Sequence, residues 1–122
     1  MADEMSFIWV TFQREGIHRY PAAATDPTLA GVAFLAHPHR HMFHFRVELA
    51  VNHDDRDVEF ILFKRELEGL FADGILQLNH KSCEMIARDL WGYIKDKYPK
   101  RDCIIEVSED LENGCRMYFS GK

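Results

Sequence analysis

The chain has 122 residues, 47% of them hydrophobic and 29% charged, which fits one globular domain spanning residues 1–122, large enough to fold without a disulfide framework or a structural metal. With 15 Lys and Arg against 20 Asp and Glu the formal net charge is −5, and no run of basic residues forms a stripe that could track phosphates, which argues against a nucleic-acid partner. No stretch approaches the roughly 18 continuous apolar residues of a membrane span, and Met1-Ala2-Asp3-Glu4-Met5 is acidic where a secretion signal would be basic, so a cytoplasmic protein with no membrane partner is expected.

The first predicted element is a strand. Residues Ser6 to Arg14 alternate, with Phe7, Trp9 and Thr11 on one side and Ile8, Val10 and Phe12 on the other, the pattern of a strand covered on both faces. From Tyr20 to Leu35 the chain carries Pro21, several alanines, Asp26-Pro27 and Gly31, a composition that breaks regular structure and predicts a long loop. A second strand runs from His39 to Val51, with His39, His41, Phe43, Phe45, Val47, Leu49 and Val51 on one face and Arg40, His44, Arg46 and Glu48 on the other. Asn52 to Arg56 reads as a turn, and Val58 to Leu62 as a short strand or extended lead into a helix.

Phe63, Leu67, Leu70 and Phe71 recur at helical spacing, with Gly74 placed to cap the C-terminus. A second helix opens after Ser82, a suitable N-cap, carries Ile86, Leu90, Tyr93 and Ile94 on one stripe, and stops before Pro99. Cys103, Ile105, Val107 and Glu109 share a strand face, and Asn113-Gly114 signals a hairpin into a last strand with Cys115, Met117 and Phe119 on one face. The predicted order is ββααββ, an α+β domain in which a four-stranded antiparallel sheet packs two helices on one face. The opposite face retains apolar residues that so short a chain cannot cover, which implies a homo-oligomer.

Four of the seven histidines fall within eight positions: His37, His39, His41 and His44. His39 and His41 are two apart on a strand, so both rings point the same way and can share one metal ion. The alternative is a pair of core histidines hydrogen-bonded to backbone, and spacing alone leaves the two readings even. His18 follows the first strand, and antiparallel pairing would bring it beside His39 and His41 as a third ligand, leaving one position open. His37 shares the parity of His39 across Pro38 and is a rival ligand, a supporting group or a loop residue. His44, His53 and His80 read as solvent-exposed or hydrogen-bonded. Glu109 ends an apolar strand face, where a carboxylate suits the paired N–H groups of a pterin-like or purine-like ring, or else frays into solvent. Cys83, Cys103 and Cys115 lack CxxC spacing and read as reduced, mostly buried thiols.

These strings carry a resemblance. Phe12 to Pro21, ending Ile17-His18-Arg19-Tyr20-Pro21, together with His39-Arg40-His41-Met42-Phe43, resembles the zinc-binding pattern of the 6-pyruvoyl-tetrahydropterin synthase and 6-carboxytetrahydropterin synthase family. Val58-Glu59-Phe60, Leu78-Asn79, Ser82-Cys83-Glu84 and Val107-Ser108-Glu109 follow in the family's order, so nearly the whole chain is covered. The resemblance implies the tunnelling fold, in which subunits join their sheets into an oligomeric barrel, as trimers stacked into hexamers. It implies zinc held by His18, His39 and His41, and Glu109 as the substrate-binding residue that takes the amide edge of a pterin ring. The activity implied is that of a zinc-dependent carbon–oxygen lyase.

Two departures bear on that activity. The family's cysteine, shortly before the His-x-His, falls at about Leu35, and the first cysteine in this chain is Cys83. The family's Asp-His pair ahead of Leu-Asn falls near Gly74 and Ile75, with Asp73 the nearby carboxylate. General acid–base groups contribute about 10²–10⁴-fold each, so the family reaction would need substitutes, for which His37, Asp73 and His80 are the catalytic candidates. Two readings follow: a divergent zinc-dependent lyase acting on a pterin-like or purine-like substrate, or a non-catalytic oligomer that binds a metal and such a ring.

Overall fold

The computed structural model describes residues 4–71 and 74–122. Strand β1 (Ser6–His18) pairs antiparallel with β2 (His39–Val51) along its whole length, from Ser6 opposite Val51 to His18 opposite His39. β2 pairs on its other side with β4 (Cys103–Glu109), and β4 with β5 (Asn113–Phe119), both antiparallel. These four strands match the expected antiparallel sheet, and β1 continues four residues beyond the predicted Arg14.

A fifth strand was not expected. β3 (Leu76–Asn79) lies parallel to the end of β1, with Gly16 opposite Leu76, so the sheet is mixed and ordered β3-β1-β2-β4-β5. Four residues are too few to show a period, and pairing rather than pattern makes them a strand. Within one chain the sheet is open, with β3 and β5 at its edges.

Two α-helices and two 3₁₀ segments complete the fold. The predicted Tyr20–Leu35 loop contains the 3₁₀ segments, Pro21–Ala24 and Pro27–Ala36, each with proline in its first turn, where the missing N–H costs nothing. Helix α1 (Phe60–Glu68) starts earlier and ends earlier than the apolar spacing suggested. The Glu59 carboxylate accepts the Ile61 and Leu62 N–H groups and draws these residues into the first turn, in place of an extended lead. Gly69, not Gly74, takes the C-cap. Helix α2 (Cys83–Lys97) opens where expected, with the Ser82 hydroxyl accepting the Met85 N–H.

Both helices cover one face of the sheet. Val10 and Phe12 from β1, Phe43, Phe45, Val47 and Leu49 from β2, and Cys103, Ile105 and Val107 from β4 meet Phe63, Leu67, Ile86, Leu90 and Ile94 from the helices. The opposite face is open in the single chain. Trp9 there is half exposed, beneath the Arg46 guanidinium 4.1 Å from its ring centre, so β1 is covered on one face, not two. Arg46 also pairs with Glu48 and Glu106 at 3.5 and 3.6 Å. Among the described residues, no helix is long and apolar enough to cross a membrane.

The β4–β5 turn lies earlier than Asn113-Gly114 suggested. Glu109 and Asn113 are already paired, and Asp110 and Leu111 turn the chain with φ of 56° and 60°, closed by the Glu112 N–H donating to the Glu109 carbonyl at 2.9 Å. Left-handed values at both central residues give the hairpin turn that matches strand twist. Gly114 instead serves a close approach, since a Cβ there would meet the Val107 carbonyl oxygen at 2.2 Å. This displaced turn brings Asp110 to the functional end of the sheet.

Candidate metal centre

The site is built where β1 ends and β2 begins. Antiparallel register sets His18 directly across from His39, and the two-residue repeat of β2 puts His41 and Phe43 on the same face as His39. Ring centres of His18 and His39 are 4.6 Å apart, His39 and His41 5.0 Å, and His18 and His41 5.4 Å. One ligating atom from each lies within 4.8 Å of the others, forming a cluster able to chelate a divalent metal ion. Phe43 stands edge-on to His18 and His41, at 5.1 and 5.9 Å, as the apolar floor.

Each ring is held by its outer nitrogen. His18 Nδ1 is 2.9 Å from the Lys81 carbonyl oxygen and His39 Nδ1 is 2.8 Å from the His37 carbonyl oxygen. His41 Nδ1 is 2.7 Å from the Asp110 carboxylate. All three partners are acceptors, so each Nδ1 carries a hydrogen, and a ring in its neutral form keeps its lone pair on Nε2. Such outer partners fix a ligating histidine's tautomer and orientation. Two of these Nε2 atoms, on His18 and His41, are buried without a hydrogen-bond partner among the described residues, which is costly for a polar atom and is relieved by a bound cation. The donor set, three imidazoles with an adjacent carboxylate, suits zinc chemistry.

Asp110 is the residue that the sequence reading missed. Its second oxygen accepts the Met42 N–H at 2.9 Å, and its own N–H donates to the Met42 carbonyl at 2.8 Å. The Met42 and His41 donors hold its carboxyl below the usual carboxylate range. With the turn assigned to Asn113-Gly114, nothing in the sequence pointed Asp110 at His41; the adjacent pair Glu109-Asp110 was the available signal. Glu109, opposite Phe43 on β2, brings one carboxylate oxygen 2.8 Å from His18 Nε2 and 3.8 Å from His41 Nε2.

A cleft of about 260 Å³ opens beside the cluster, lined by His18, His39, Glu109, Leu35, His80 and Cys83 among others. Leu35 faces the cleft with an inert side chain. Burial, reinforced by the charge of Glu109, pushes the Cys83 thiol up to about 12, which keeps it protonated at neutral pH and unsuited to act as a base. His80 lines the cleft. His37 is exposed and meets the cluster through its carbonyl oxygen, which leaves it a supporting group. Asp73 lies outside the described residues. His44 faces the opposite side of the sheet, and His53 pairs with Asp57 at 3.6 Å at the far end.

No family model matches the chain, and a search of curated proteins finds no match.

Proposed function

We propose that the protein is a metal-binding protein of the 6-pyruvoyl/6-carboxytetrahydropterin synthase type, which holds zinc with His18, His39 and His41 and takes a pterin-like or purine-like ring in the adjacent cleft without transforming it. The observation that carries the metal reading is the convergence of three histidines with one ligating atom each within 4.8 Å of the others, the Nε2 atoms of His18 and His41 being buried and unpartnered among the described residues. Zinc there would act as a Lewis acid toward a ligand oxygen. Glu109, on the border between cluster and cleft, is the carboxylate that the amide edge of a ring would meet.

Binding is favoured over catalysis by what lines the cleft. Leu35 offers no acid or base, and the Cys83 thiol is held protonated. The Asp110–His41 contact uses a histidine committed to the metal, so it does not supply a free proton relay. One observation favours the second reading, a zinc-dependent carbon–oxygen lyase: His80 lines the same cleft and is a titratable group in reach of a bound ligand.

A homo-oligomer, a trimer or hexamer built by joining sheets, is supported by two unpaired edges. Among the described residues β5 has no neighbour on its outer side, and β1 is paired on its outer side only by β3, from Gly16 onward. Such edges are templates for pairing with another chain.

The test combines metal content with ligand screening. Elemental mass spectrometry should find about one zinc per chain, lost in His39→Ala. Calorimetry against pterins and purines should then detect binding with no product by mass spectrometry. Absence of zinc, or of uptake on adding it, would sink the metal reading. Turnover of a pterin triphosphate that disappears in both His39→Ala and Glu109→Ala would establish the lyase instead.

A further inference from the structure

We infer that Glu109 is itself a fourth ligand of the metal held by His18, His39 and His41, so that the chain closes its own site until an incoming ligand displaces the carboxylate. This rests on the metal-binding reading and deepens it, giving Glu109 a role that the family resemblance does not assign.

The first observation is an approach that is close without being a hydrogen bond. Glu109 Oε2 stands 2.8 Å from His18 Nε2 and 3.8 Å from His41 Nε2, yet both nitrogens lack a hydrogen-bond partner. The second is where the ring hydrogens are. His18 and His41 each face an acceptor with Nδ1, the Lys81 carbonyl at 2.9 Å and the Asp110 carboxylate at 2.7 Å. In its neutral form an imidazole has one N–H, so with Nδ1 donating outward the nitrogens turned toward Glu109 carry the lone pairs that a metal takes. A cation among the three groups would bind those nitrogens and the carboxylate together.

The separations of Glu109 from His18 and His41 fit the same conclusion. Zinc bonds to imidazole and carboxylate of about 2.0–2.2 Å place neighbouring corners of a tetrahedron roughly 3.4 Å apart, a value bracketed by the separations of 2.8 and 3.8 Å. Glu109 is also anchored for the task. It is the last residue of β4, in register with Phe43, two residues from His41 along β2. Its successor Asp110 is bonded to Met42 in both directions. A carboxylate on the metal and a carboxylate on a ring are exclusive states of one side chain, so a ring that uses Glu109 must first take it from the ion.

The experiment uses the full chain, stripped with a chelator and reloaded with zinc or cobalt(II) alone. Zinc affinity is measured by competition with a chromogenic chelator, and coordination by the visible absorption of the cobalt form, for wild type, His39→Ala, Glu109→Gln and Glu109→Ala. Partners one step removed from a metal are worth about 10–100-fold in affinity, so loss of a direct ligand should weaken zinc binding at least about tenfold. The cobalt bands should shift as solvent takes the vacated position. Circular dichroism of the metal-free variants checks the fold, and having two substitutions guards against one that fails to fold. Wild-type affinity and an unchanged cobalt spectrum in the Glu109 variants, with binding lost in His39→Ala, would overturn the fourth ligand and leave the metal site standing. No metal on wild type would overturn both.

Discussion

The two ends of the sheet are both polar, but their hydrogen-bond accounts differ. At the end where β1 starts and β2 finishes, the carboxylates of Asp57 and Asp102 are met by donors. The Asp57 carboxylate receives Arg101 and the Asn52 N–H, each at 2.7 Å, and Arg101 also donates to the Ala50 carbonyl at 3.0 Å. Asp102 accepts from the Gly121 N–H at 2.8 Å and from the Tyr118 hydroxyl. At the opposite end His18, His39, His41 and Glu109 bring acceptors together, and the two buried unpartnered side-chain atoms among the described residues are both there. A matched cluster closes the fold, whereas an unmatched, convergent one is built for something that arrives from outside.

The comparison breaks most sharply if the triad can be removed without consequence. His39→Ala should abolish stoichiometric zinc, measured by elemental mass spectrometry, while leaving the Asp57–Arg101 end unaltered in amide exchange. Phe43 is fully buried and supports both His18 and His41. Phe43→Ala should cost about 3–5 kcal/mol in denaturant unfolding of the metal-free protein, and should weaken zinc binding by loosening the rings.

Asp110→Asn sharpens the contrast more gently. The amide oxygen can still accept from Met42, but its NH₂ group faces His41 Nδ1 and favours the tautomer with hydrogen on Nε2, the atom the metal needs. Zinc affinity should fall by about 10–100-fold, with little change in the melting temperature of the metal-free protein.

The smallest effect belongs to the matched end. Arg101 holds the Asp57 carboxyl down to about 2, below the ordinary 3.8. Because the folded value is the lower one, the unfolded chain takes up its proton first as pH falls. The contribution of Asp57 is therefore complete above about pH 4 and is lost as pH drops toward 2. Arg101→Ala should remove that acid-sensitive component, read from urea midpoints at pH 7 and pH 3, and should not change zinc affinity at neutral pH. A parallel loss of zinc affinity would show that the two ends are not independent.

Much of the fold was legible because its long elements carry their period openly. β2 has the predicted bounds, and helix α2 begins at its Ser82 cap, because alternation and capping act within a few residues of chain. Where elements were misplaced, a local contact outweighed the pattern. Glu59 pulled the start of α1 back to Phe60, and pairing with β1 made a strand of Leu76–Asn79. The site shows the same division. His39 and His41 could be read as a pair because strand parity is a property of sequence, and His18 because adjacent strands meet where the chain reverses. Asp110 could not, since its role depends on which residues make the turn.

The sequence by itself determined that this is an α+β chain with two long strands, two helices on one side and three histidines near one strand junction, because periodicity, caps and parity are written in neighbouring residues. Only the tertiary structure decided that the sheet is mixed, that Asp110 and two backbone carbonyls turn the rings inward, and that Glu109 stands against the two unpartnered nitrogens. Those outcomes depend on register between strands that are distant in the chain, and register is set by the packing of the whole sheet.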